Sequence, residues 1–87
     1  MIGVYEILNL KNNKRYIGSS KNIKERIKWH KRRLKVNKHT NMHLQGAWNK
    51  YSSEHFQFSI LELCDVENLI VRETYWCLLY RANEEEF

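Results

Sequence analysis

The sequence predicts an α+β fold: a small three-stranded antiparallel sheet flanked by about three helices, in the order β-β-α-α-β-α. Three observations predict it. Two short runs rich in β-branched and aromatic residues, Gly3 to Leu10 and Arg15 to Gly18, flank the turn signal Lys11-Asn12-Asn13-Lys14. Three later segments carry apolar residues at helical spacing. Between the last two of them, Phe56, Phe58 and Ile60 alternate with Gln57 and Ser59, the period of a strand.

The first two strands make a hairpin. Asparagine tolerates positive φ, so Asn12-Asn13 reads as a two-residue turn that pairs Lys11 with Lys14. On that register Asn9 faces Tyr16 and Ile7 faces Gly18. Side chains alternate along a strand, so Tyr5, Tyr16 and Gly18 share one side of the sheet, and a slip of one residue would separate the tyrosines. Gly18 leaves bare backbone there, with room for a ligand to come close. Asn22 to Lys35 reads as a helix with Ile23, Ile27 and Leu34 as its apolar stripe. At about 100° per residue, Arg26, His30 and Arg33 form a second line along one edge of that stripe.

A polar loop from Val36 to Thr40 follows. A second helix runs from about Asn41 to Tyr51, capped by Thr40 or Asn41, with Leu44, Ala47, Trp48 and Tyr51 facing inward. Gly46 weakens it. The third strand ends near Leu63. Asp65 then caps a last helix that reaches Arg81. Its expected stripe is Val66, Leu69, Ile70, Trp76, Cys77 and Tyr80, with Glu73 in the middle.

The chain of 87 residues is expected to form a single domain, 1–87, with a modest core. Its net charge is +5, and the distribution matters more than the sum. Twelve of the fifteen Lys and Arg residues lie between Lys11 and Lys38, a span with one acid, Glu25. From Glu62 onward seven acids face two arginines. A solvated basic surface and a footprint for a nucleic-acid backbone both account for this. Aromatics among the charges, Tyr16, Trp29 and Trp48, favour the second. Cys64 and Cys77 are too few for a disulfide framework and read as reduced cysteines of an intracellular protein. No signal peptide is visible, and no apolar run nears the roughly 18 residues that span a bilayer. Gly18-Ser19-Ser20 lacks the spacing of a phosphate-binding P-loop. His39, His43, Cys64 and Cys77 lack the grouping of a zinc site.

A few residues carry chemistry. An ionised Glu73 among Leu69, Ile70, Trp76 and Cys77 is costly unless it is paired or holds a cation. An arginine meets that need, and so does a divalent metal. One carboxylate, completed by water and phosphate oxygens, suits Mg²⁺. Arg26 is either one more solvated arginine or a fork of donors for a phosphate. His30 is either a satisfied structural residue or an imidazole kept neutral by Arg26 and Arg33, able to accept a proton or orient a hydroxyl. Tyrosines are at home on strands. A functional Tyr5 or Tyr16 needs positive charge nearby to lower a free pKa of about 10.

Gly3-Val4-Tyr5, some way ahead of Tyr16-Ile17-Gly18, resembles the signature of the GIY-YIG nuclease family. The similarity continues through Ser19-Ser20-Lys21, Arg26 and His30, His39 in the following loop, and Glu73 on the last helix. It lies closest to the catalytic domains of phage and intron-encoded homing endonucleases. The resemblance implies a DNA endonuclease that hydrolyses a phosphodiester with an activated water. It implies Tyr5 as general base or water-orienting group, and Tyr16 as support for the same water or the scissile phosphate. Arg26 would neutralise charge on the phosphorane, and His30 would orient or deprotonate Tyr5. Glu73 would hold one divalent ion, Mg²⁺ or Mn²⁺. Gly18, Ser19, Lys21, Arg33 and His39 are expected to contact substrate. The expected partner is double-stranded DNA, with no small-molecule cofactor and no membrane. The isolated domain is expected to be an intracellular monomer of phage or mobile-element type. Valine replaces isoleucine in the first tripeptide, on the face opposite Tyr5. Many relatives carry an asparagine beyond the glutamate helix, and Asn83 comes too early to match it. The expectation is a catalytic module truncated at its C-terminal end. The competing readings are a non-catalytic nucleic-acid-binding module that grips phosphates with the basic helix, and a protein-interaction domain.

Overall fold

A computed structural model of the chain describes residues 1–80. The element order matches the expectation. Strand β1 is Gly3–Asn9 and β2 is Arg15–Ser20. Helix α1 is Ile23–Lys35, α2 is Met42–Tyr51, β3 is Phe56–Leu63 and α3 is Leu69–Tyr80. Single 3₁₀ turns, Ser53–His55 and Val66–Asn68, precede β3 and α3. The sheet is antiparallel, in the order β2-β1-β3. The expectations for Arg81, Asn83 and the acidic end fall outside the described residues.

The hairpin register corrects the sequence reading. Tyr5 pairs with Gly18, and Ile7 pairs with Tyr16. The turn is longer than two residues: Asn9 N–H donates to Lys14 O, Asn13 N–H donates to Asn9 O, and Asn13 takes φ 59°. The offset from the expected register is an even number of residues. Tyr5 and Tyr16 therefore still share a face.

Each face of the sheet is covered. On one side Tyr5 and Ile7 pack with Ile23, Leu34, Leu44, Ala47 and Phe56, the core shared with α1 and α2. On the other, Val4 and Ile17 meet Leu61, Trp76 and Cys77. A register shift against β1 falls at Val4/Tyr5, where Glu62 pairs with Val4 and Ile60 with Tyr5. The extra residue is a bulge. It lets Leu61 join the second core while Glu62 binds the Arg72 Nε–H at 2.8 Å and the Trp76 indole N–H at 2.9 Å.

Caps define the first two helices. Asn22 and Asn41 each accept a backbone N–H, from Glu25 and Leu44. Helix α1 ends in a Schellman turn: Asn37 has φ 61° and donates to Leu34 O, and Lys38 donates to Arg33 O. That turn directs the next segment, which carries His39, back toward α1. Asp65 makes no side-chain cap bond.

Helix α3 departs from its expected stripe. Ile70 is 80% exposed and Val66 45% exposed. The half-buried line is Leu69, Arg72, Glu73, Trp76 and Cys77. Two charged residues can lie on this face because the sheet supplies partners, Glu62 for Arg72 and Ser19 for Glu73.

Candidate active site

The site is assembled from both sides of the edge strand β2. On the α1 side, the Tyr5 ring lies over Gly18, where a methyl group would come within 2.5 Å of the phenol oxygen. The opening expected over Gly18 is therefore filled by Tyr5 itself. Tyr16 lies on the same face, two residues before Gly18.

His30 is fully buried. It sits within the apolar line Ile23, Ile27, Leu34 rather than along its edge, while Arg26 and Arg33 are exposed. A core position tolerates imidazole only when its nitrogens are satisfied. Nε2 lies 2.6 Å from Tyr5 Oη, and Nδ1 lies 2.7 Å from Nε2 of His39. His39 is itself buried behind His30. Its own Nδ1 accepts the backbone N–H of Asn41 at 3.0 Å.

That last bond assigns the tautomers. A backbone amide can only donate, so a neutral His39 carries its proton on Nε2. It donates to Nδ1 of His30, whose proton is then on Nε2. His30 donates to the Tyr5 oxygen. The Arg26 guanidinium acts on the same phenol, pulling its pKa down. The His30 donor and the Arg26 charge favour the Tyr5 phenolate, and burial opposes it more strongly. Burial pushes the His30 pKa down to about 3, assisted by His39 and Arg26, and it lowers that of His39 too. Both rings are neutral at physiological pH. In this tautomer His30 cannot take the Tyr5 proton, which separates the two tasks expected of it: it orients Tyr5 and does not deprotonate it.

Burial raises the Tyr5 pKa to about 12, with a contribution from Tyr16, while Arg26 works in the opposite direction. Tyr16 is raised as well, again chiefly by burial and against Arg26. The Glu73 charge is felt by both phenols. Glu73 itself stands on the far side of the sheet. Its Oε1 accepts the Ser19 hydroxyl at 2.5 Å, which anchors the carboxylate at the rim of β2. A half-buried carboxylate is a hard oxygen donor of the kind a divalent cation takes. Among the described residues no group of three or more His, Cys, Asp or Glu gathers.

Of the residues expected to touch substrate, Lys21 and Arg33 are exposed. Gly18 lies under Tyr5, Ser19 is bonded to Glu73, and His39 backs His30. Sequence reasoning missed Gln45, whose Oε1 accepts the His39 backbone N–H at 3.0 Å and whose Nε2 donates to Leu34 O at 3.1 Å. It also missed Trp29, which lies edge-on to both histidine rings. No local pattern marks Gln45. The spacing of Trp29 from Arg26 and Arg33 was available.

Comparison with known proteins finds relatives of both the sequence and the fold. An endonuclease of Enterobacteria phage T4, intron-associated endonuclease 1, is 40% identical over 76 residues, covering 85% of this chain and 31% of that protein. A probable intron-encoded endonuclease 1 of Neurospora crassa is 38% identical over 69 residues, covering 79% of this chain and 21% of that protein. The chain thus spans less than a third of either relative. The solved catalytic domain of homing endonuclease I-TevI superposes with a TM-score of 0.89 at 31% identity, covering 100% of this chain and 96% of that one. A mutant of the same domain gives 0.85 at 32% identity, covering 99% and 90%. The GIY-YIG catalytic domain model matches residues 1–86, and this chain belongs to that family.

Proposed function

We propose that this chain is the catalytic domain of a metal-dependent DNA endonuclease of the homing type. It hydrolyses a phosphodiester of double-stranded DNA with an activated water. The observation that carries the reading is the gathering of Tyr5, Tyr16, Arg26, His30 and Glu73 around the end of β2, from three elements on one side of the sheet and one on the other.

Tyr5 acts as a phenolate, its own proton lost to solvent beforehand: it orients the attacking water and takes its proton. Its oxygen is prepared for negative charge by the His30 Nε2–H and by Arg26. Tyr16 faces the same space and supports the water or the scissile phosphate. The exposed side of the Arg26 guanidinium neutralises charge as the phosphorane forms. The water oxygen becomes bonded to phosphorus, one P–O ester bond breaks, and the leaving oxygen takes up a proton from solvent. Glu73 would hold a single Mg²⁺ or Mn²⁺, which would supply positive charge and acidify water there. The Ser19 hydroxyl fixes the direction of that carboxylate.

Lys21, with Arg33 and the other cations of α1, holds the DNA backbone electrostatically. The domain acts as a monomer inside the cell, where the DNA is. None of the described helices is long and apolar enough to cross a membrane. Plasmid nicking in Mg²⁺ tests the proposal. Wild-type protein should nick supercoiled DNA, and Glu73→Ala and Tyr5→Phe should each lose about 10²-fold or more. Equal rates for wild type and Glu73→Ala would sink it. Salt-sensitive binding without cleavage would favour a non-catalytic DNA-binding module instead.

A further inference from the structure

Trp29 projects from α1 one turn after Arg26 and one turn before Arg33. The Arg26 guanidinium carbon lies 4.2 Å from the centre of the Trp29 ring, and that of Arg33 lies at 5.5 Å. The same indole meets the His30 ring at 5.2 Å and the His39 ring at 5.3 Å, both edge-on. Trp29 is half-buried, whereas Arg26 is exposed. An exposed arginine ordinarily samples many rotamers, and ordering it carries a large entropic cost. Here a rigid aromatic plane, itself wedged against two buried rings, supports the guanidinium from one side, within electrostatic reach of Tyr5.

We propose that Trp29 is a positioning residue for Arg26: by stacking under the guanidinium it holds the exposed arginine toward Tyr5 before substrate arrives. The proposal rests on the nuclease reading for its catalytic consequence, though not for its structural one. Stacking leaves the edge of the guanidinium available, so the same group can meet phosphate without first being ordered. Trp29 itself needs no contact with the reacting atoms.

Two variants and two readouts test this. In the free protein, NMR of the Arg26 side chain should show a ring-shifted, slowly exchanging Nε–H. Trp29→Leu should collapse that signal to an averaged one, and Trp29→Phe should keep it. The buried His30 imidazole N–H, bonded to Tyr5, should persist in both variants. In plasmid cleavage, Trp29→Leu should lower kcat about fivefold with KM within about twofold of wild type, while Trp29→Phe stays within about twofold in both. An Arg26 signal that stays ordered in Trp29→Leu overturns the proposal. So does simultaneous loss of the His30 proton, which would make Trp29 a support for the histidine pair. A loss confined to KM overturns it as well, by making Trp29 a DNA contact. If wild-type protein fails to cleave, the nuclease reading falls. The NMR comparison still decides whether Trp29 orders Arg26.

Discussion

Replacing Gly18 by alanine is a small change with a calculable consequence. The new methyl carbon would stand 2.5 Å from Tyr5 Oη, 2.7 Å from Cζ and 3.2 Å from Cε1. Ordinary contact begins at 3.4 Å, so the phenol must retreat by about 0.9 Å. The Tyr5–His30 bond is 2.6 Å long and joins two fully buried groups, with no slack to absorb that shift. Overpacking of this kind costs about 1–3 kcal/mol. Misplacing a reacting group by an ångström costs up to about 10²-fold in rate. Gly18→Ala should therefore lower both the urea midpoint and the Mg²⁺-dependent nicking rate. In a Tyr5→Phe background the closest atom is gone, and the stability penalty should shrink. A Gly18→Ala protein with wild-type midpoint and wild-type nicking rate would show that Tyr5 is not seated against Gly18, and the site geometry would have to be redrawn.

The other predictions are simpler. His30 has its pKa lowered from 6.5 to about 3, so it stays neutral in the folded protein while the unfolded chain takes up a proton. The stability tied to this group is complete above pH 6.5 and drains as pH falls toward 3, by up to about 1.4 kcal/mol per pH unit. Urea midpoints across that window should slope accordingly, and His30→Gln should flatten the slope. Gly46 lies in α2 with nothing within 4 Å of where a Cβ would stand. Gly46→Ala should stabilise by about 0.5–1 kcal/mol, and a lower thermal midpoint would contradict the assignment. Leu44 is fully buried and Ile70 is 80% exposed. Leu44→Ala should cost about 2–5 kcal/mol and Ile70→Ala under about 0.5 kcal/mol, a contrast that checks which way α3 faces.

Much of the fold was legible because local patterns decide it. The alternation Phe56-Gln57-Phe58-Ser59-Ile60 marked β3 until the bulge, which no alternation announces. The hairpin was legible in its facing but not its register. Lys11-Asn12-Asn13-Lys14 accommodates more than one turn, and only the period of two protected the pairing of faces. His30 was legible as a candidate site residue but misplaced. The spacing Ile23, Ile27, His30, Leu34 is that of one buried line, yet a polar residue among cations reads as surface until its partners are known. Those partners, Tyr5 and His39, come from other elements. Glu73 stood out as an ill-fitting charge, but the residue that receives it, Ser19, is 54 positions away, and short-range spacing is blind to that. For the same reason Val66 and Ile70 were assigned inward by type alone. Helix α3 rotates instead to bring Arg72 and Glu73 to their polar partners.

The last of these contacts has a consequence for how activity is lost. Four members of the site hang from the well-packed side of the sheet, whereas the fifth belongs to α3, in which no residue is fully buried. That helix is held by a small apolar patch, the Glu62 pairings, the Ser19 hydroxyl and an Arg15 guanidinium over Tyr80. Elements with so little burial open first under heat or denaturant. On the nuclease reading, nicking should therefore fail at a lower urea concentration than the one that melts the core shared with α1 and α2.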